Sequence, residues 1–240
     1  VTMQKLNLAL QTMPPSSASS APIGSANSCS NCSDGWILVV GEGLRRCDCL
    51  KAKIRGRAMN RIPTIYRGLT LETVKPDFDR HPSQEQVIAA LRQSPESSFA
   101  FFGVNGCGKS LFGWLLYRQA VDSNRNAVGL PLAELLSQFR AWEKDSDQLP
   151  DVTPGDLRQG NRRYLLWFDE VEKARPSEFS AEMFFRVVDA AYSFDHQLVI
   201  ASNLKPEELS RHWATNGETY GPSTVRRIME MRDGLEVPMF

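Results

Sequence analysis

The chain has 240 residues, 28 basic against 28 acidic side chains and 42% apolar residues, the balance of an ordinary globular protein. Zero net charge argues against a protein whose main task is coating duplex DNA. No stretch of about 18 consecutive apolar residues is present, so no membrane span is expected. The first residues lack a basic segment followed by an apolar core, so a cytoplasmic location is expected.

Residues 1–28 are expected to be a flexible leader. Positions 11–28 are rich in Ser, Pro and Ala, with Met13 and Ile23 as the only larger apolar side chains, too little to offset the entropy of ordering. Leu6, Leu8 and Leu10 alternate with polar or small residues, which fits either a short docking strand or no order.

Four of the five cysteines cluster next, as Cys29-x-x-Cys32 and Cys47-x-Cys49. Two short spacings let two pairs of thiolates face one tetrahedral Zn²⁺. In a cytosolic chain such a cluster points to metal more than to disulfides. Between the pairs, Trp36 to Val40 reads as a strand, Gly41-Glu42-Gly43 as a turn, and Leu44 to Arg46 as the return strand. The spacing is compatible with a zinc ribbon or a treble-clef-like knuckle. So small a module has too little core to fold alone, and a metal would supply the missing stability. We place it at residues 29–57; a basic stretch, 51–61, leads into Ile62-Pro63.

From there to the end, residues 58–240, strands and helices alternate. Helix is expected at 83–93, 109–121, 132–143, 177–193 and 223–232, and strand at 98–102, 126–130, 164–168 and 197–201. Leu132, Leu135, Leu136, Phe139 and Trp142 share one helical face. Residues 145–160, with Pro150 and Pro154, read as a loop. All-apolar strands alternating with helices predict an α/β fold built on a doubly wound parallel sheet.

Chemistry concentrates at three strand ends. Gly103-Val104-Asn105-Gly106-Cys107-Gly108-Lys109-Ser110 follows the strand Phe99 to Phe102 and opens a helix through Leu111, the context that identifies a phosphate-binding P-loop. Its glycines let backbone N–H groups face phosphate oxygens, and the helix adds the positive end of its dipole. Lys109 is expected to neutralise β/γ-phosphate charge and Ser110 to ligate Mg²⁺, so ATP and Mg²⁺ are the expected cofactors. Cys107 is taken as a small residue that fits the loop.

The strand Tyr164 to Phe168 ends in Asp169-Glu170. Asp169 is expected to hold Mg²⁺ and Glu170 to polarise the attacking water; the alternative is a strand followed by a solvated acidic helix start. Leu198 to Ser202 ends at Asn203, which is expected to reach the γ-phosphate or its water, and Pro206-Glu207-Glu208 also marks a helix start there.

Taken together, Ile62-Pro63, Tyr66-Arg67-Gly68-Leu69-Thr70-Leu71-Glu72, the P-loop, Asp169-Glu170, Arg175-Pro176-Ser177-Glu178 and Ser202-Asn203-Leu204 with Pro206-Glu207-Glu208-Leu209 resemble the DnaC/DnaI-type replicative helicase loaders. These are AAA+ ATPases related to the transposition ATPase IstB. The resemblance covers about residues 60–237. The cysteine module resembles the zinc-binding N-terminal domain of the DnaI-like branch, which contacts the helicase. IstB-like proteins generally lack one.

The resemblance implies a partner in the hexameric replicative helicase, binding of single-stranded DNA, and self-association through the ATP site. It also implies a trans arginine. The matching residue is Arg227, with Arg226 beside it left open. Two departures stand out: Ala191 precedes Tyr192 where the family carries a basic residue, and no Ser–aromatic–Arg pattern follows the last strand, so no second sensor arginine is assigned. The competing functions are an IstB-like transposition regulator assembling on duplex DNA and, more distantly, a generic P-loop kinase or small-molecule ATPase.

Overall fold

In a computed structural model of the chain, the residues described are 29–30, 32–33, 36–39, 43–77, 81–159, 163–215 and 220–232. The expected leader and the last eight residues lie outside them. By internal contacts the chain divides into two units, 1–50 and 51–240, where the sequence suggested a boundary after residue 57.

The first unit contains an antiparallel hairpin, β1 (Trp36–Val39) and β2 (Gly43–Arg46), with Trp36 opposite Arg46 and Val39 opposite Gly43. The basic stretch 51–61, to which no element was assigned from the sequence, is helical. It forms most of α1 (Asp48–Arg61). None of its residues is fully buried, and Ala58 and Met59 pack partly against the core of the second unit. A helix held by so few apolar contacts has little periodicity for sequence reading to detect.

The second unit is a four-stranded parallel sheet in the order β3-β6-β5-β4, formed by β3 (Phe99–Phe102), β4 (Asn126–Pro131), β5 (Tyr164–Asp169) and β6 (Gln197–Ser202). Successive side chains of a strand point to opposite faces. Phe99, Phe101, Leu165, Trp167, Val199 and Ala201 therefore join one core cluster, while Ala100, Phe102, Leu166, Phe168, Leu198 and Ile200 join another.

The first face is covered by α2 (Gln84–Gln93), through Val87, Ile88 and Leu91, and by α3 (Lys109–Asp122). The second is covered by α4 (Leu132–Lys144) and α6 (Glu178–Ser193), while α7 (Pro206–Trp213) and α8 (Tyr220–Met231) add Leu209, Trp213, Val225 and Ile228 to the same core. Leu132, Leu135, Leu136 and Phe139 are buried and Trp142 packs against them, as their shared face predicts. Helices on both faces make the doubly wound architecture expected.

The stretch read as a loop at 145–160 contains a short helix, α5 (Pro154–Arg158). Thr153 accepts a hydrogen bond from the Asp156 N–H and the Asp156 side chain accepts from the Thr153 N–H, a reciprocal cap at its start. Its Leu157 is buried, and the Leu157 carbonyl accepts from Nε2 of buried His196 (2.8 Å), whose Nδ1 accepts from the Tyr164 N–H (3.2 Å). Five residues are too few to show a helical period, which is why composition read as loop.

Packing between α3 and β5 is tight. A Cβ at Gly113 would stand 2.3 Å from the Trp167 ring. We expect Gly113→Ala to destabilise the second unit by about 1–3 kcal/mol, as for other overpacked cores, measured by urea denaturation. A second change, Trp167→Phe, should recover part of that loss by shortening the ring.

Candidate nucleotide site

Parallel strands end together, so loops at their carboxyl ends share one edge, and ligands of open α/β sheets bind there. Phe102 is in register with Ser202, and Phe168 with Ile200. The loops after β3, β6 and β5 therefore lie side by side. They line one cavity with Asn105, Gly106, Gly108, Lys109, Ser110, Leu111, Asp169, Glu170 and Asn203, and with Tyr66 and Glu172. The three stretches singled out in the sequence converge.

The P-loop turns through left-handed backbone at Gly106 (φ 86°) and Gly108 (φ 102°), which side chains with a Cβ rarely adopt. No atom lies within 4 Å of where a Gly106 Cβ would stand, so conformation, not space, requires glycine there. Lys109 is buried at 8% exposure, and its Nζ donates to the carbonyls of Gly103 and Val104, each at 2.7 Å. Its charge is thus held inside the loop that would cradle phosphate. Cys107 is buried, with its Sγ 3.7 Å from the same Nζ.

Asp169 ends β5 facing Ser110, whose hydroxyl hydrogen-bonds its carboxylate. Burial pushes the Asp169 carboxyl above the usual aspartate range. The Ser110 bond and the Glu170 N–H oppose this, while the charges of Glu170 and Glu172 add to it. A hydroxyl and a desolvated carboxylate in contact fit a hard, oxygen-seeking cation such as Mg²⁺, which would offset the burial cost.

Glu170 adopts φ 51°, an uncommon conformation for a residue with a side chain. The turn brings the Val171 N–H to the Ala201 carbonyl (3.1 Å), fastening the end of β5 to β6. The Glu170 side chain is 43% exposed and ion-paired to Lys173 at 2.5 Å. Such an exposed pair is easily opened. On β6, the Asn203 amide donates to Glu172 at 2.5 Å.

Three contributors were missed in the sequence. Tyr66, in a single 3-10 turn at Thr64–Tyr66, lines the cavity, and burial followed by the Asp169 charge raises its phenol above the usual range. Its aromatic ring inside the Tyr66-Arg67-Gly68 stretch was a signal that could have been used. Gln84, buried at the start of α2, donates to the Cys107 carbonyl (3.0 Å) and accepts from the Asp77 N–H (2.8 Å), holding the P-loop from outside. Nothing in the helix pattern marks it. Glu172, two residues past Glu170, falls within the solvated acidic helix start weighed as the alternative there.

The candidate trans arginines lie on α8. Arg227 pairs with Asp189 at 2.9 Å, lies over the Phe185 ring at 4.6 Å, and is 21% exposed. Arg226 is 70% exposed and pairs with Glu230 at 3.5 Å. Arg227 is thus engaged within its own chain, and Arg226 is the one presented to solvent.

In the first unit, Cys29, Cys32, Cys47 and Cys49 bring all four Sγ atoms within 4.8 Å of one another. The Cys29–Cys47 and Cys32–Cys49 separations are 3.8 and 3.4 Å, far beyond a disulfide bond of about 2.05 Å. A tetrahedron with Zn–S bonds of about 2.3 Å has edges of about 3.8 Å. Donor set and spacing both fit zinc. The pairs met in space are first with third and second with fourth, so each short sequence motif contributes one thiol to each contact.

The buried Asp169 has a pH consequence. Its carboxyl is raised in the folded state, so folding favours its protonated form; that contribution to stability is present at low pH and lost as pH rises through the folded value. Asp169→Asn should therefore raise the melting temperature of the nucleotide-free protein at neutral pH. The advantage should shrink as pH falls and the native carboxyl becomes neutral. Thermal melts across pH check this, and an advantage that grows toward acid would contradict it.

No protein-family model and no curated protein sequence matches the chain. Solved structures do. The DnaC helicase loader is similar with a TM-score of 0.52 and 17% identity, covering 70% of this chain and 96% of that one. DnaI is similar at 0.52 and 14%, covering 73% and 93%. The AMPPCP-bound DnaA from Aquifex aeolicus is similar at 0.54 and 16%, covering 71% of this chain and 49% of that one, so the chain spans about half the length of that initiator. At these identities the likeness is one of fold: the second unit shares the fold of these proteins.

Proposed function

We propose that the chain is an ATP-dependent loader of a replicative DNA helicase, with a weak, assembly-dependent ATPase. The observation that carries this is the convergence of the P-loop, the Ser110–Asp169 contact, Glu170 and Asn203 at one sheet edge, on a fold shared with DnaC and DnaI. Backbone N–H groups of residues 103–109 and the Lys109 ammonium would hold the phosphates. Ser110 and Asp169 would hold Mg²⁺, which supplies charge neutralisation at the β/γ-phosphates. Glu170, released from Lys173, accepts the proton of the attacking water, and Asn203 orients the transferred group. Among the described residues no helix is long and apolar enough to cross a membrane.

In this reading the cysteine module carries one Zn²⁺ and docks the helicase, the ATPase unit meets single-stranded DNA, and an arginine of α8 completes a neighbour's site. The four-cysteine cluster favours a loader over an IstB-like regulator, since IstB-like proteins generally lack such a module. Guanidinium suits the trans role because it stays protonated and bridges two phosphate oxygens.

Lys109→Ala should abolish binding of a fluorescent ATP analogue, whereas Glu170→Gln should bind it and lose phosphate release by about 10²-fold or more. In the same assay, Arg226→Ala and Arg227→Ala are to be compared. The one that completes a neighbour's site should bind ATP, lose turnover, and regain it when mixed with Lys109→Ala protein. Pull-down with the host's replicative helicase, with and without ATP, tests the loader role; length-dependent assembly on duplex DNA without helicase binding would overturn it.

Protein purified without added zinc should contain close to one zinc per chain by elemental analysis. Cys47→Ser should lose the metal and weaken helicase capture while leaving ATP binding intact. Absence of zinc together with unchanged capture would rule out the docking role.

A further inference from the structure

Residues 51–61 of α1 form a helix that its own core contacts barely support. All of them are exposed except the half-buried Ala58 and Met59, and a helix polar nearly all round needs support from outside its own turns. Its charges work against it. Lys51 and Arg55, Lys53 and Arg57, and Arg57 and Arg61 are like charges four residues apart, a spacing at which side chains are neighbours and repel. Gly56 lies mid-helix with no atom within 4 Å of where a Cβ would stand. It therefore weakens the helix without serving a close approach.

Two acids of the second unit relieve part of the repulsion. Arg55 pairs with Asp122 at 2.6 Å and Arg61 with Asp151 at 2.5 Å. The Tyr117 hydroxyl donates to the Ala58 carbonyl at 3.3 Å, and Ala58 and Met59 pack against the core. These contacts fix which side of the helix faces the second unit. At 3.6 residues per turn, Lys53 and Arg57, each two residues from Arg55, stand nearly opposite to it. Both are exposed, and neither has a hydrogen bond or ion pair among the described residues.

We propose, resting on the loader reading above, that this outer face of α1 docks single-stranded DNA, with Lys53 and Arg57 each meeting a backbone phosphate. A polyanion removes the repulsion between neighbouring cations, so charge complementarity selects the occupant. A membrane surface fits poorly, because an interfacial helix needs an apolar face opposite its cations. Here that side is taken up by the second unit. A protein partner would need apolar or aromatic anchors, and Ile54 is the one large apolar side chain exposed on α1 among the described residues.

The test is fluorescence anisotropy of labelled oligo(dT) with the full chain and a saturating ATP analogue. Lys53→Ala/Arg57→Ala removes two cations that hold no fold contact, so this variant should melt no lower than the unmutated chain. Its affinity for oligo(dT) should fall about tenfold at low salt, and the slope of log K against log salt should flatten by about 1.4, about 0.7 for each phosphate contact. Lys144→Ala/Arg211→Ala, with the same change of net charge, should lose less than about twofold, since charges beyond the screening length are weakly felt. In the unmutated chain, oligo(dT) should slow amide exchange across residues 52–58.

Unchanged affinity in the first variant, an equal loss in the second, or unaltered exchange across 52–58 overturns the docking face. So does tighter binding to duplex DNA, or to vesicles of anionic lipid, through the same two residues. If the unmutated chain does not bind oligo(dT), the DNA contact of the loader reading fails with it. If it binds and Lys53→Ala/Arg57→Ala binds alike, only this face is wrong.

Discussion

The insertion of β6 between β3 and β5 is the constraint on which the site depends. These strands are parallel and in register, Phe102 with Ser202 and Phe168 with Ile200, so three loops far apart in sequence end at one edge. Each strand is buried on both faces by alternating side chains, and a one-residue slip would exchange the two core faces completely. The core thereby fixes the register, and the register fixes where Ser110, Asp169 and Asn203 stand. The Val171 N–H bond to the Ala201 carbonyl adds a last fastening at the edge itself.

The functional groups of the site are engaged with one another. Lys109 is bonded to two loop carbonyls, Ser110 to Asp169, Asn203 to Glu172 and Glu170 to Lys173. Ligand binding would exchange these bonds for new ones, so the net gain is the difference between the two sets. This preserves the loop's shape, since no buried ammonium is left unpaired. It also makes the Asp169 burial cost available to be relieved by a cation.

The two units meet the problem of stability by different means. The second buries large side chains such as Trp167, Trp213 and Phe101 on either side of a sheet. The first has a two-stranded hairpin, and a hairpin of that size is marginal in water by itself. Four thiols lie close enough together to hold one ion, and a Zn²⁺ bound there would supply what the core does not. It would tie both ends of the hairpin to one point, and such closure restricts the unfolded chain.

Much of this was legible in one dimension. Apolar alternation and helical spacing gave the second unit's strands and its longer helices, because a face that must be buried leaves a period in the sequence. The G-x-x-x-x-G-K-S spacing marked the P-loop, and apolar strands ending in Asp169-Glu170 or Asn203 marked the facing loops, because polar groups at buried strand ends need a purpose. The cysteine spacing marked the thiol cluster for the same reason of chemistry.

What only the tertiary structure decided is who meets whom. The helical state of residues 51–61 and of Pro154–Arg158 depends on few or brief contacts, which leave no period. Gln84 reaches Cys107, Arg227 is drawn to Asp189 rather than to solvent, and Glu172 meets Asn203 from 31 residues away. Each is a single hydrogen bond or ion pair across sequence distance. Sequence determines such partners only through the packing of everything between them, and the sheet order that sets that packing is read from no local pattern.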